Sequence, residues 1–346
     1  MTAFAKVLAD LEVAGLRLRR AWPRSPEHLL LDLDDLATGT QTAAQWFAEQ
    51  NTAARIARST PRAAVRGRLV LHNAGADRRL PALGPLLDRP GSRLIAHRPE
   101  RRAVVALDDG ARYAKLVPAR KVTALRRSVR RAEQLPIRTP RRVGADNDAM
   151  VVTGALPGTP LADLLHGPRA LQALRAVGAA VARLHGEPPP SGSTMHGPLD
   201  ELAVTTGWER WADLFELTSG TVRGATDLAA LRTPAPELRL IHRDLHDGQF
   251  LLTTDPHGRL TDIGVGLLDF DLAAAGDPAL DLANLIEHLL LRGRQGVLTD
   301  VDGAVGALLD GYDPPADLLR RLDPYRALTA RRLDALYAFR TTILVT

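Results

Sequence analysis

The spacing of apolar residues changes character twice along the 346-residue chain. Phe4, Val7, Leu8, Leu11, Leu16 and Leu18 form a helical stripe over residues 4–18. Short apolar runs follow, and residues 28–33, 42–47 and 68–72 read as strands. Between them lie a turn at 34–39, a loop at 73–77, and the loops marked by Pro81, Pro85 and Pro90. From residue 91 the strand-length runs crowd together. Residues 93–97, 103–107 and 111–117 predict three strands, joined by a basic turn at 98–102 and by Asp108-Asp109-Gly110, where Asp-Gly favours a type I′ turn. A basic helix is predicted over 122–135 and a last strand over 150–153. Beyond a Gly/Pro-rich stretch at 154–161 the period becomes helical, with Leu171, Leu174, Val177, Val181 and Leu184 on one face and Gly186 as the stop. Trp208 and Trp211, three apart on a second helix, read as core packing. Leu285, Leu289 and Leu290, then 308–309 and 318–322, supply further helical faces. The pattern is α+β, with a β-rich first half and a mainly helical second half.

One stretch of the helical half breaks this rhythm. Residues 241–282 read IHRDLHDGQFLLTTDPHGRLTDIGVGLLDFDLAAAGDPALDL. His242, Asp244 and Gln249 fall in an H-x-D-x4-Q pattern, followed by an apolar run, a turn at 255–258, a second apolar run and Asp269-Phe270-Asp271. That order predicts a loop, a strand, a turn and a second strand. A hairpin brings its open ends together, so Asp244 and Gln249 are expected near Asp269. One carboxylate can accept a proton while the other, with the amide oxygen, holds a divalent cation. Phosphoryl transfer needs that combination: a base or orienter for the attacking hydroxyl and hard oxygen ligands for Mg2+.

The segment resembles the catalytic core of the aminoglycoside phosphotransferase and choline kinase-like group, distant relatives of protein kinases. His242-Arg243-Asp244-Leu245-His246-Asp247-Gly248-Gln249 stands where the group has H-G-D-L-H-x-x-N. Leu268-Asp269-Phe270-Asp271, Gly276-Asp277-Pro278 and Asp281-Leu282-Ala283 carry the rest. The resemblance implies a two-lobed protein kinase-like fold, with a β-rich N-lobe and a helical C-lobe. It implies an ATP- and Mg2+-dependent kinase acting on a hydroxyl of a small molecule, with Asp244 as catalytic base and Asp269 as metal ligand. His242 and Asp281 would support the loop, Asp281 through hydrogen bonds. Arg243 departs from the small residue of the pattern. Gln249 departs from Asn but keeps an amide oxygen for the metal, on a stem one methylene longer. A Gln here also looks like the maltokinase and glucosamine kinase branch. A nucleotide-binding pseudokinase is the non-catalytic alternative.

The rest of the site is sought in the first half. On this reading residues 1–90 are a cap-like α/β region, 91–153 the nucleotide-binding lobe and 154–346 the catalytic and substrate-binding lobe. The chain has 3 lysines, Lys6, Lys115 and Lys121, against 42 arginines, so a lysine inside an apolar strand suggests that a compact point charge is needed. Lys115 suits the α/β-phosphates. Glu133 is the one acid between Asp109 and Asp146, and is expected to orient Lys115, with Arg130 as its alternative partner. The turn over the triphosphate has no glycine run, so Arg98, Arg101 and Arg102 are expected to supply the positive field. Backbone groups at 153–155, from Thr153 to Ala155, would pair with adenine.

Charge sharpens the picture. Residues 1–150 carry 28 Lys+Arg against 15 Asp+Glu, and residues 151–346 carry 17 against 25. The basic positions are spread out with few aromatics between them, which disfavours a nucleic-acid partner. The preferred reading is a basic nucleotide half facing an acidic half that attracts a cationic acceptor, with a sugar as the alternative. Asp302, Asp310, Asp313 and Asp317 are candidates for its ammonium groups, though a solvated acidic face is the simpler account. Without cysteine there is no disulfide and no thiolate site. The absence of a long apolar run or an apolar leader points to a cytoplasmic protein without membrane partners.

Overall fold

The computed structural model describes residues 2–144, 148–217, 235 and 237–340. Thr2 caps helix α1 (Ala3–Val13), its hydroxyl accepting from Ala5 N at 3.1 Å, and Phe4, Val7 and Leu11 are its buried face. The stripe expected to reach residue 18 breaks at Gly15, whose φ of +66° ends the helix. Leu16 and Leu18 are instead buried on strand β1 (Leu16–Ser25), where alternation replaces the helical period. Strands β2 (His28–Asp35) and β3 (Gln41–Phe47), helix α2 (Gln50–Arg58), then β4 (Ala64–Arg66) and β5 (Leu69–Leu71) follow, with α3 (Leu83–Leu87) after them. The strands form one antiparallel sheet in the order β1-β2-β3-β5-β4.

A second antiparallel sheet holds β6 (Arg93–Arg98), β7 (Arg102–Leu107), β8 (Arg112–Leu116) and β9 (Met150–Gly154) in sequence order. Helix α4 (Ala119–Ala132) crosses between β8 and β9 and buries Val122, Leu125 and Ala132. The turn between β7 and β8 spans 108–111, because Leu107 pairs with Arg112. Its left-handed non-glycine pair is Asp108 and Asp109 (φ +50° and +53°), one position earlier than Asp-Gly chemistry predicts.

The remaining elements are β10 (Thr159–Pro160), α5 (Leu161–Leu164), α6 (Ala170–Gly186), β11 (Met195–His196), α7 (Pro198–Leu214), β12 (Arg239–Ile241), β13 (Phe250–Thr254), β14 (Leu260–Leu267), β15 (Ala274–Gly276), α8 (Pro278–Arg294), α9 (Val301–Tyr312) and α10 (Ala316–Tyr337). The hairpin β13–β14 takes β10 as a third strand, and β11, β15 and β12 make another small sheet. Leu174, Val177, Val181, Phe250, Val265, Leu282, Leu285, Leu289 and Leu308 share one buried core. Among the described residues no helix is long and apolar enough to cross a membrane.

The first sheet is fastened to the helical half. Phe4 meets Phe339 and Phe215 edge-on at 5.7 and 6.4 Å, and half-buried Trp208 and Trp211 pack on the same aromatic group, as core residues should. Ala21 N donates to Phe339 O at 2.8 Å, and Arg20 pairs antiparallel with Arg340 just past α10.

Helices α6 and α9 approach so closely that a Cβ on Gly178 would lie 2.1 Å from Leu308 O and 2.8 Å from Tyr312 N. The contact sets Tyr312 against His185, whose role follows below. Gly178→Ala must push the helices apart, and we expect a loss of about 1–3 kcal/mol in urea unfolding. A variant as stable as the parent would contradict this packing.

Candidate active site

The site is built on a backbone held by one buried carboxylate. After β12 the chain turns through Arg243 at φ +72°, a left-handed conformation that favours glycine, which is what the related pattern carries there. Fully buried Asp281, in the first turn of α8, accepts from His242 N at 2.6 Å and from Arg243 N at 2.7 Å. Asn284, one turn on, donates to Arg243 O at 3.0 Å and is itself held by Thr329 and Arg332. His185 donates from Nε2 to Asp281 at 3.1 Å, which leaves its Nδ1 to accept from the Tyr312 hydroxyl at 2.9 Å. Burial alone would raise the Asp281 carboxyl. The hydrogen bonds from His185 and from the His242 backbone outweigh it and hold the carboxyl below the usual range.

His242 completes the loop. Its Nε2 donates to Leu268 O at 2.7 Å, and its ring meets Phe270 edge-on at 4.9 Å. It is fully buried and ties the loop to the chain beyond β14, as a scaffold residue would. Asp244 stands half-buried just after it, and among the described residues its carboxylate has no hydrogen-bond or ion-pair partner. Asp247 does not face the cleft. It is buried and takes a two-point contact from Arg292 at 3.0 and 3.3 Å.

The hairpin brings its ends together. Phe250 pairs with Leu267, and Leu268 N donates to Gln249 O at 2.9 Å. Gln249 and Asp269 thus flank the mouth of one cleft of about 350 Å3. Asp269 adopts a left-handed φ of +59°. Burial would raise its carboxyl, but Lys115, then Arg102 and His242, outweigh this and hold it below the usual range. Gln249 Nε2 lies 3.3 Å from His246 Nε2, and its amide oxygen has no partner among the described residues. A carboxylate and a spare amide oxygen are the hard donors that Mg2+ takes, so the residues fit that ion.

Lys115 reaches into the cleft from β8, its Nζ 2.8 Å from Asp269 and 2.6 Å from Asp271. The expected pairing with Glu133 is not formed. Helix α4 ends at Ala132, so Glu133 caps it and turns toward the following chain, where it accepts from Arg142 N at 2.5 Å. The cleft-facing side of α4 carries Ser128 instead, which donates to Phe270 O at 2.9 Å. Asp271 and Ser128 had no assigned role on the sequence reading. Asp271 was visible in the D-F-D triplet, but Ser128 carries no sequence signal.

The apolar part of the cleft is lined by Val104, Val151, Leu251 and Leu268, with Thr153 and Ala155 at its edge. The N–H groups of Gly154 and Ala155 donate to Arg141 O and Ala111 O, at 2.8 and 2.9 Å. Leu156 also lines the cleft, and its N–H has no partner among the described residues. At the turn between β6 and β7, Arg101 N closes on Arg98 O, and Arg102 lies 3.7 Å from Asp269. Arg98 stacks on Trp22, 5.1 Å from the ring centre. Glu100, at φ +60°, is clamped by residues of the first sheet and its connections: Asp77 accepts from Glu100 N at 2.7 Å, while Arg78 and Gln45 bond its carboxylate. The turn lacks glycine but is pinned from outside its own sheet.

The profile of APH, the phosphotransferase enzyme family, matches residues 99–325, about two thirds of the chain. The chain belongs to this family. As a member it is a small-molecule kinase, a phosphotransferase acting on hydroxyl groups. Two solved structures of aminoglycoside phosphotransferase APH(3'')-Id from Streptomyces rimosus are similar, and each match covers 73% of this chain and 98% of that one. The first has 23% identity and a TM-score of 0.52. The second, in complex with ADP and streptomycin, has 24% and 0.51. A choline/ethanolamine kinase family protein from Mesorhizobium loti has 16% identity and a TM-score of 0.40, with 72% and 97% covered. No curated protein sequence matches the chain. At these identities the Streptomyces likenesses establish the fold, which is the two-lobed protein kinase-like one. The family match begins at residue 99, so the first sheet lies outside it.

Asp281 supplies the prediction of this phosphotransferase's loop. Asp281→Asn is expected to cost about 3 kcal/mol in urea unfolding at neutral pH, because charged hydrogen bonds in the interior are lost. A depressed folded-state carboxyl contributes stability above its unfolded value, 3.8, and loses it as pH falls through the folded value. The parent's stability should therefore fall below about pH 4 more steeply than the variant's. Parallel curves would contradict the assignment.

Proposed function

We propose that the protein transfers the γ-phosphate of ATP to a hydroxyl of a small molecule, with Asp244 as the base. The observation that supports this is the cleft that gathers Gln249, Asp269 and Lys115, with the unpaired Asp244 carboxylate on the loop that leads into Gln249. The adenine lies in the apolar cleft between the β6–β9 sheet and the β13–β14 hairpin, and Leu156 N–H, in the hinge that follows β9, is the available donor beside Thr153 and Ala155. Lys115 exchanges Asp269 and Asp271 for the α/β-phosphates. Arg101 and Arg102 add positive charge from the turn above, while Arg98, expected beside them, stacks on Trp22. Asp269 and Gln249 hold Mg2+, which when bound offsets the charge of the phosphates.

In the reaction the acceptor oxygen forms a bond to the γ-phosphorus, and the bond from that phosphorus to the bridging oxygen breaks to release ADP. The hydroxyl proton passes to Asp244. The loop held by Asp281 and His242 fixes the base, so catalysis comes from positioning and charge compensation. Glu133 acts at a distance, holding the end of α4 and leaving the cleft to Ser128. Residues 1–90, 91–153 and 154–346 serve as cap, nucleotide lobe and catalytic lobe.

The test is ADP release from ATP and Mg2+ over a panel of hydroxylated acceptors. Asp244→Ala should lower kcat by about a thousandfold with little change in ATP affinity. A variant that keeps its full rate would remove Asp244 from the reaction.

A further inference from the structure

Half-buried Arg20 and Arg340 stand near Asp244, and Arg98 beside Arg20, without carboxylate ion pairs among the described residues. Arg20 on β1 and Arg340 past α10 face each other across an antiparallel bridge, which sets their side chains on one side. Arg98, at the end of β6, shares the Trp22 ring with Arg20, at 5.1 and 4.9 Å. The Nε atoms of Arg20, Arg98 and Arg340 are all buried without a hydrogen-bond partner. None of the three has a carboxylate ion pair among the described residues, and Asp244 is the acid whose charge reaches both Arg20 and Arg340. Burial and then the neighbouring Arg340, Arg98 and Arg102 lower Arg20 from its ordinary value, the mark of like charges gathered together.

The cleft that suits ATP is lined from β6 to β9, the hinge and the hairpin, and none of these three arginines lines it. All three also lie outside the matched residues 99–325, Arg98 by one position. Of the acids that could hold a cationic acceptor, Asp310 pairs with Arg175 and Asp317 with Arg321, while Asp302 and Asp313 stand at the ends of α9.

We propose that Arg20, Arg98 and Arg340 form an anion site on the acceptor side of Asp244, and that the acceptor is a hydroxylated molecule bearing a carboxylate or a phosphate ester. The acceptor clause rests on the kinase reading above. Guanidinium forks bind either group at two points, which would anchor the acceptor to the first sheet and leave its hydroxyl to Asp244. The first sheet then has a function: it carries Arg20 and Trp22 to the acceptor side of the cleft.

The probe is inorganic sulfate, titrated calorimetrically into protein saturated with Mg2+ and the non-hydrolysable ATP analogue AMP-PNP, which fills the γ-phosphate position. Sulfate should bind the loaded protein, and Arg20→Gln and Arg340→Gln should each weaken it about tenfold or more, leaving AMP-PNP affinity unchanged. If one variant fails to fold, the other decides. No sulfate binding to the loaded protein, or equal binding by the variants, would overturn the anion site. Failure of AMP-PNP to bind would sink the kinase reading alone, and sulfate titrated into the free protein and the same variants would still decide the anion site. Turnover is then compared for a neutral sugar, its uronic acid and its phosphate ester, with an aminoglycoside as the cationic control. Preference for one acidic form supports the proposal and says which anion it is. Preference for the neutral or cationic acceptor overturns it.

Discussion

The two hydrogen bonds from the His242 and Arg243 backbone to Asp281 are the constraint on which the site depends. They hold a non-glycine residue in a left-handed turn, a conformation that persists only where the surroundings impose it. Much of the helical half serves that carboxylate. Close packing of α6 on α9 sets Tyr312 against His185, and His185 against Asp281. Asn284, one turn along α8, holds the carbonyl of the same residue whose N–H Asp281 binds. A charged group buried this deeply is tolerated because His185 and the His242 and Arg243 backbone donate to it, and the loop it fixes leads to Asp244.

Across the cleft the electrostatics are arranged differently. Lys115 lies between Asp269 and Asp271, so the cleft carries its own counterions. Those contacts suit a resting arrangement, from which the lysine can turn to phosphates while the acids turn to a cation. Helix α4 reports on this region through Ser128, which bonds the carbonyl of Phe270, rather than through an acid. The glycine-poor turn over the cleft owes its shape to Asp77 and Arg78, which lie before the β6–β9 sheet.

The hairpin and the D-F-D turn were legible because each rests on local pattern, alternation and a turn, whereas the loop-holding role of Asp281 came from the family resemblance; the acid that caps α8 is Asp277. The helix at 170–184 and the strands at 93–97 and 103–107 were legible for the same reason. What pattern could not supply was pairing between distant segments. Lys115 and Asp269 are 154 positions apart, and nothing local prefers Asp269 to Glu133 as the partner. The extension of the first helix to residue 18 failed because Leu16 and Leu18 satisfy both periods, and only Gly15 between them marks the break. The arginine cluster was hidden in a chain with 42 arginines, where residue type carries little information until the fold places Arg20 beside Arg340.

The central claim is that Asp269 and its hairpin partner Gln249 make this cleft a Mg2+-nucleotide site opposite Asp244. The most direct test is calorimetric binding of AMP-PNP with and without Mg2+, in the parent and in Asp269→Asn. The account predicts tight binding by the parent only with Mg2+, and loss of that Mg2+ dependence in the variant. Equal binding with and without Mg2+, unchanged in Asp269→Asn, would contradict it.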